Sequence, residues 1–202
     1  MFSPTKTKMI TGATDLISRR GASATSLRDV VQHSGTPRGS LSHHFPGGKQ
    51  QMLEEAVQYA DAAVAAPLAA LLHELGPVHG LDAFIDWWGR ILEASNFEAG
   101  CPVLAVAIDP GVGSDAQEDA RERLRMLVLA AFNGWQTIYA DSLAQSGVSK
   151  DRSQRLAALV VASVEGTVAM CRAARSCQPL DHVAQELHAL LAQALIHPSG
   201  PR

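Results

Sequence analysis

Apolar residues in the first fifty positions recur at helical spacing. Met9, Ile10, Ala13, Leu16 and Ile17 fall on one face of a helix predicted from about Pro4 to Arg20, which Gly21 stops. Thr25 or Ser26 then caps a short helix that carries Leu27, Val30 and Val31 inward. Gly35 allows a tight turn. Thr36 as N-cap and Pro37 as first helical residue open a third helix, which Phe45 and Pro46 end. Leu41 and Phe45, four residues apart, point back toward Val30 and Val31. Arg38, Gly39, Ser40, Ser42, His43 and His44 are left facing largely outward.

A longer pattern follows. A helix over 48–75 places Met52, Ala56, Tyr59, Ala63, Leu68, Leu71 and Leu75 on its inner side, with a kink expected at Pro67. Turn signals at Gly76-Pro77, Gly100, Pro110-Gly111, Ser146-Gly147 and Pro179 divide the rest into helices near 80–98, 102–109, 114–145, 150–175 and 180–196. No β-branched run alternates for long, so the fold class is all-α. A three-helix helix-turn-helix domain over 1–50 is expected, linked by the 48–75 helix to a second helical domain over 51–202. The tail from Pro198 is expected to fray.

Charge divides the chain at the same place. Residues 1–50 hold seven Lys/Arg against two acids, a net charge of +5. The remainder holds ten against eighteen, a net charge of -8. A basic head on an acidic body suits a nucleic-acid-binding module joined to something else. Three cysteines at irregular spacing read as reduced thiols of a cytoplasmic protein. No uninterrupted apolar run approaches the roughly 18 residues of a membrane span, so no membrane partner is expected.

The second helix of a helix-turn-helix lies in the major groove and reads base edges with polar side chains. The outward face of the third helix here is polar, with one cation, and Gly39 leaves room for close approach. The same pattern serves a solvated helix in a packing subdomain equally well. Three strings go further: Ser26-Leu27-Arg28-Asp29-Val30-Val31, Gly35-Thr36-Pro37-Arg38-Gly39-Ser40-Leu41 and His43-His44-Phe45-Pro46-Gly47-Gly48-Lys49. Together they resemble the DNA-binding domain of the tetracycline-repressor (TetR) family. The last string, with Gly100-Cys101-Pro102-Val103 and Glu165-Gly166, is similar to its LmrA/YxaF-like branch of drug-responsive repressors. The resemblance implies base contacts from Arg38, Gly39, Ser40 and His43. It implies phosphate contacts from Thr36, Ser42, His44 and Lys49. Many members place a tyrosine where this chain has the shorter Ser42.

In the body, Trp88, Phe132, Trp135 and Tyr139, with Met126 and Met170, are candidate walls of an apolar ligand cavity; ordinary core is the alternative. The small residues Ala162, Ser163, Gly166 and Ala169, with Leu187 and Leu191 on the last helix, suit a close helix seam. That seam lies either between two copies or within one chain. His73, His79, His182, His188 and His197 are scattered at no metal-ligand spacing, and Cys101 has no identifiable partner as a nucleophile. No catalytic residue, metal or cofactor is therefore expected. The partners expected are a double-stranded DNA operator, a small-molecule inducer and a second copy of the chain, which makes 51–202 the expected ligand-binding and dimerisation domain. The expected mechanism is repression relieved by the inducer.

Overall fold

Eight helices account for the secondary structure that a computed structural model describes over residues 3–109 and 118–197, and no strand occurs among them. They are α1 (Pro4–Arg20), α2 (Leu27–Ser34), α3 (Ser40–His44), α4 (Gly48–Ala94), α5 (Pro102–Ala107), α6 (Glu118–Gln145), α7 (Lys150–Ala174) and α8 (Gln178–Ile196). The Pro110-Gly111 turn, the expected start of a helix at 114 and the tail from Pro198 lie outside the described residues.

The chain forms two compact units. One comprises Met1–Ala62 with Cys101–Ala131, the other Ala63–Gly100 with Phe132–Arg202. The first therefore extends past the 1–50 head expected from sequence. The reason lies in α5, whose buried Val103 and Val106 pack beside α1, and in the first turns of α6. There the Gln50 side chain donates to the Ala120 carbonyl at 2.8 Å, and Arg123 meets Glu54 at 3.2 Å.

Within this unit α1 runs as expected. The Ser3 hydroxyl accepts the Lys6 N–H at its start, and Gly21 ends it. Its apolar face is closed by Val30, Val31, Phe45 and Met52, all 6% exposed or less. The α2 cap is Ser26, in a reciprocal box: the Ser26 hydroxyl accepts the Asp29 N–H, and the Asp29 carboxylate accepts the Ser26 N–H. The Ser26 hydroxyl also donates to that carboxylate at 2.7 Å, and these bonds, with Arg20 2.8 Å away, hold the Asp29 carboxyl below its usual range. At Gly35 the chain turns with φ 62°, a left-handed conformation that costs a glycine little.

The second unit is built around a bend. α4 leaves helical geometry at Gly76, with φ 76°, and resumes at once, so it is two arms rather than one rod. The bend falls at Gly76-Pro77 and not at Pro67. The Tyr139 hydroxyl, fully buried, donates to the Pro77 carbonyl. Burial, with Asp82 nearby, pushes the Tyr139 pKa upward, so the phenol stays protonated. A Cβ at Gly80 would stand 2.8 Å from the Leu71 carbonyl oxygen and 2.9 Å from Leu72 Cα. The two arms approach there through backbone, and only glycine fits.

The buried stripe of α4 also differs from expectation. Met52, Ala56 and Leu68 are buried as expected, but Ala60, Val64 and Leu72 complete the stripe, while Tyr59 and Leu75 are 37% and 44% exposed. Steps of four residues overtake the 3.6-residue turn, and the buried line shifts by one position.

Candidate nucleic-acid interface

The turn after α2 orders the segment that carries the polar face. Thr36 does not cap a helix. Its hydroxyl pairs with the Ser34 hydroxyl at 2.9 Å, and its N–H donates to the Val31 carbonyl at 3.2 Å. Pro37-Arg38-Gly39 forms a turn, with the N–H groups of Ser40 and Leu41 donating to the Pro37 and Arg38 carbonyls. Regular helix begins only at Ser40, later than expected. Tight bonds of this i→i+3 kind are common where a helix starts. At its other end the Phe45 N–H donates to the Leu41 carbonyl at 2.7 Å, and the Phe45 ring is 2% exposed. This burial fixes the roll of the short helix, turning Ser42 and His43 outward and leaving Ser40, Leu41 and His44 half-buried.

Arg38, Gly39, Ser42 and His43 are exposed; Thr36, Ser40, His44 and Lys49 are half-buried. All eight sequence-predicted contact residues thus reach solvent. The His43 and His44 rings meet edge to face at 4.8 Å, so each limits the other's rotation. Charge is distributed unevenly among the cations. Lys6 pairs with Glu55, Arg19 with Asp15, and Arg20 with Asp29. Among the described residues no acid stands against Arg38. Its guanidinium remains available to a guanine edge or a phosphate.

Lys49 is held differently. Its ammonium donates to the Ser23 carbonyl at 3.0 Å. The Asp109 carboxylate, just past α5, accepts both the Ser23 N–H at 2.8 Å and the Ser23 hydroxyl at 2.5 Å. Ser23 therefore joins the α1–α2 loop, the start of α4 and the end of α5. Sequence reasoning missed Ser23 and Asp109, since a serine in a loop and an aspartate 86 residues on carry no shared pattern.

The other candidate residues divide by exposure. Trp135 and Tyr139 are buried and line a small cavity with Leu68, Phe84, Val164 and Glu165; its volume is about 20 Å³. Phe132 is half-buried, edge-on to Trp135 at 5.3 Å. Trp88 is 2% exposed, and its indole N–H has no hydrogen-bond partner among the described residues. Met126 and Met170, grouped with these rings on the sequence, are instead 48% and 58% exposed and line no part of the cavity. Met170 falls on the α7 stripe of Ala162 and Gly166 at four-residue steps, and that stripe faces solvent.

Ala162, Gly166 and Ala169 are exposed and Ser163 is half-buried. A Cβ at Gly166 would meet nothing within 4 Å, so no contact within the described chain explains this helix-interior glycine. Leu187 and Leu191 are buried in the chain's own core, at 5% and 0% exposed, and are unavailable to a second copy. Cys101, considered as a nucleophile, caps α5, with its sulfur accepting the Leu104 N–H at 3.4 Å.

Known proteins share both parts of this arrangement. Residues 9–56 match the family described as bacterial regulatory proteins, tetR family. Residues 77–186 match the C-terminal domain of LmrA/YxaF-like transcriptional regulators. An uncharacterized HTH-type transcriptional regulator of Mycobacterium tuberculosis is 40% identical, over 93% of this chain and 94% of its own. The HTH-type transcriptional regulator LmrA of Bacillus subtilis is 28% identical, over 94% of this chain and 98% of its own. A crystal structure of a regulatory protein TetR from Rhodobacter sphaeroides superposes with a TM-score of 0.77 at 19% identity, covering 93% of this chain and 98% of that one, and shares the fold. With the polar face of α3 and two family matches that divide the chain between them, this protein belongs to the TetR family of DNA-binding transcriptional regulators, in its LmrA/YxaF-like branch.

Proposed function

We propose that the protein is a homodimeric repressor, released from its operator by a small, largely apolar molecule. The observation that carries the DNA half of this reading is the exposed polar face from Arg38 to His44 in a segment of net charge +5, with no acid against Arg38 among the described residues. Arg38, Gly39, Ser40 and His43 reach base edges, and Thr36, Ser42, His44 and Lys49 hold phosphates. Lys49 exchanges its bond to the Ser23 carbonyl for a phosphate oxygen. Binding chromosomal DNA assigns the work of the protein to the cytoplasm.

Two copies are supported by α7. Its most apolar 18-residue window has a mean hydropathy of 1.6, yet only 44% of that window is buried. By length and composition alone such a helix could cross a membrane. A soluble seam accounts for it as well, because Leu159, Ala162, Gly166, Ala169 and Met170 form a continuous exposed stripe narrow enough for close helix approach. A two-fold dimer sets two α3 helices at the spacing of successive major grooves, roughly 34–36 Å.

Ligand control is supported by the cavity under Trp135 and Tyr139. At about 20 Å³ it holds little more than a water, whereas drug-sized ligands occupy roughly 300–1,000 Å³. A ligand must therefore select a more open arrangement of the second unit, and that differential affinity is what a switch requires. α4 and α6 each contribute residues to both units and carry the change. A coupling of about 1–3 kcal/mol alters operator affinity roughly 5- to 150-fold.

The test is a mobility-shift titration of the full-length protein on duplex DNA from upstream of its own gene. A panel of apolar aromatic compounds is then added. Cooperative binding of a dimer to one site, relieved by a subset of the compounds, is expected. Binding as a monomer, or a complex that no compound relieves, would remove dimerisation or induction respectively.

A further inference from the structure

Folding brings together two of the histidines that stand far apart in the sequence. His79 and Asp82 lie three residues apart on the second arm of α4, hence on one face. His188, on α8, meets the same carboxylate. Its Nδ1 is 2.8 Å from Asp82 Oδ2, and His79 Nδ1 is 3.5 Å from that oxygen. The imidazole centroids are 5.7 Å apart, and one donor atom from each of the three residues falls within 4.8 Å of the others.

A hydrogen bond between His188 and Asp82 would account for two of these side chains. It leaves His79 unexplained. His79 is 74% exposed and free to extend into water, yet its ring turns toward an oxygen that His188 already engages. Ligands about 2.0–2.1 Å from a tetrahedral ion stand about 3.4 Å from one another. Each imidazole already stands near that separation from the Asp82 carboxylate, at 2.8 and 3.5 Å, and all three donors lie within 4.8 Å of one another. Two imidazoles and one carboxylate are a donor set for a divalent transition ion with its remaining position open to water. Asp82 and His188, at 35% and 43% exposed, sit where an ion enters from solvent without a path through the core.

We propose that His79, Asp82 and His188 form a zinc site that ties α8 to the second arm of α4. The site stands one turn beyond the Gly76 bend, so an ion held there fastens the bent helix to the last helix of the fold. None of the three residues belongs to the α3 face or to the cavity walls, and the test does not depend on the reading of either.

The test uses metal-free, full-length protein titrated with Zn²⁺ alone against a chromogenic chelator. Co²⁺ serves as a spectroscopic substitute. One ion per chain is expected, with the visible absorption of four-coordinate Co²⁺ and a melting temperature that rises with added zinc. Altering even a residue that orients a ligand weakens metal affinity about 10- to 100-fold, so His79→Gln, Asp82→Asn and His188→Ala should each weaken it at least that far. Circular dichroism without metal checks that each variant is folded, and His79→Gln, at the most exposed position, is the safest of the three. His182→Ala, also on α8 but outside the cluster, and Cys177→Ser should bind as wild type. Absence of stoichiometric binding, or binding that survives both His79→Gln and His188→Ala, overturns the proposal.

Discussion

Two exposed surfaces of this chain differ in kind. The face made by the turn at 37–39 and α3 is polar; among the described residues no acid stands against its cation, Arg38, which has hydroxyls and imidazoles around it. The outer stripe of α7 is apolar and made of small residues, with a glycine whose missing side chain nothing in the chain exploits. Both are unsatisfied in the single chain, in opposite senses. A polar face in water loses little by waiting for a partner, because water bonds each group in the meantime. An apolar stripe gains from any cover that removes it from water, at about 25 cal/mol per Å² of apolar surface. Under the proposed reading, the first surface is one that binds and releases, and the second is one that stays closed.

The largest effect should come from breaking the closed surface. Gly166→Leu places a side chain where close helix approach needs none, and overpacking costs about 1–3 kcal/mol or more. Sedimentation should show dissociation to monomers, and operator binding should fall with it as the two half-sites lose their common partner. A variant that sediments as a stable dimer would move the seam off α7. Arg38→Ala should leave the dimer intact and weaken operator binding by about 1–3 kcal/mol, with specificity relaxed at the base it reads. Equal affinity for the operator in a titration would deny Arg38 that role.

Lys49→Ala sharpens the distinction within the polar face. A phosphate contact carries no sequence information, so the variant should weaken specific and non-specific DNA alike and reduce the slope of log affinity against log salt by about one unit. An unchanged slope would mean that Lys49 keeps its bond to Ser23 in the complex. The smallest effect concerns the α2 cap. Because Asp29 titrates below its ordinary value in the fold, its contribution is present above that value and fades as pH falls through the lowered one. Asp29→Asn should therefore melt slightly below wild type at neutral pH, and the two melting curves should converge in acid. Parallel curves at every pH would show that the carboxylate charge adds nothing to the cap.

The head was legible because its signals are local. Ser26 and Asp29 three apart, Gly35 after an apolar pair and Pro46 after Phe45 each act within one turn of the chain. The start of α3 departs from its local signals. Thr36 and Pro37 are good opening residues, but the Thr36 hydroxyl is taken by Ser34, and the turn at 37–39 delays the helix. Non-local features were not legible. Asp109 on Ser23, Tyr139 on Pro77 and His188 on Asp82 join residues 86, 62 and 106 positions apart, and no periodicity links such pairs. The aromatic residues of the body were recognised as a group, but only the fold separates Trp135 and Tyr139 at the cavity from the exposed Met126 and Met170. Likewise Leu187 and Leu191 share an apolar face whose direction, inward or toward a second copy, depends on where α7 lies.

The contact at Gly80 has a consequence for how such a sequence can drift. Every codon change that replaces this glycine introduces a Cβ, and that atom would meet main-chain atoms of Leu71 and Leu72, which no rotamer can move aside. The walls of the cavity are under no such restriction. Leu68, Phe84 and Val164 meet their neighbours through side chains, and side chains can be exchanged for others of similar volume with modest loss. Over many generations the position that holds the two arms of α4 together can stay fixed by geometry while the walls of the cavity change; under the proposed reading, a lineage can then acquire new inducers without having to reinvent the bend.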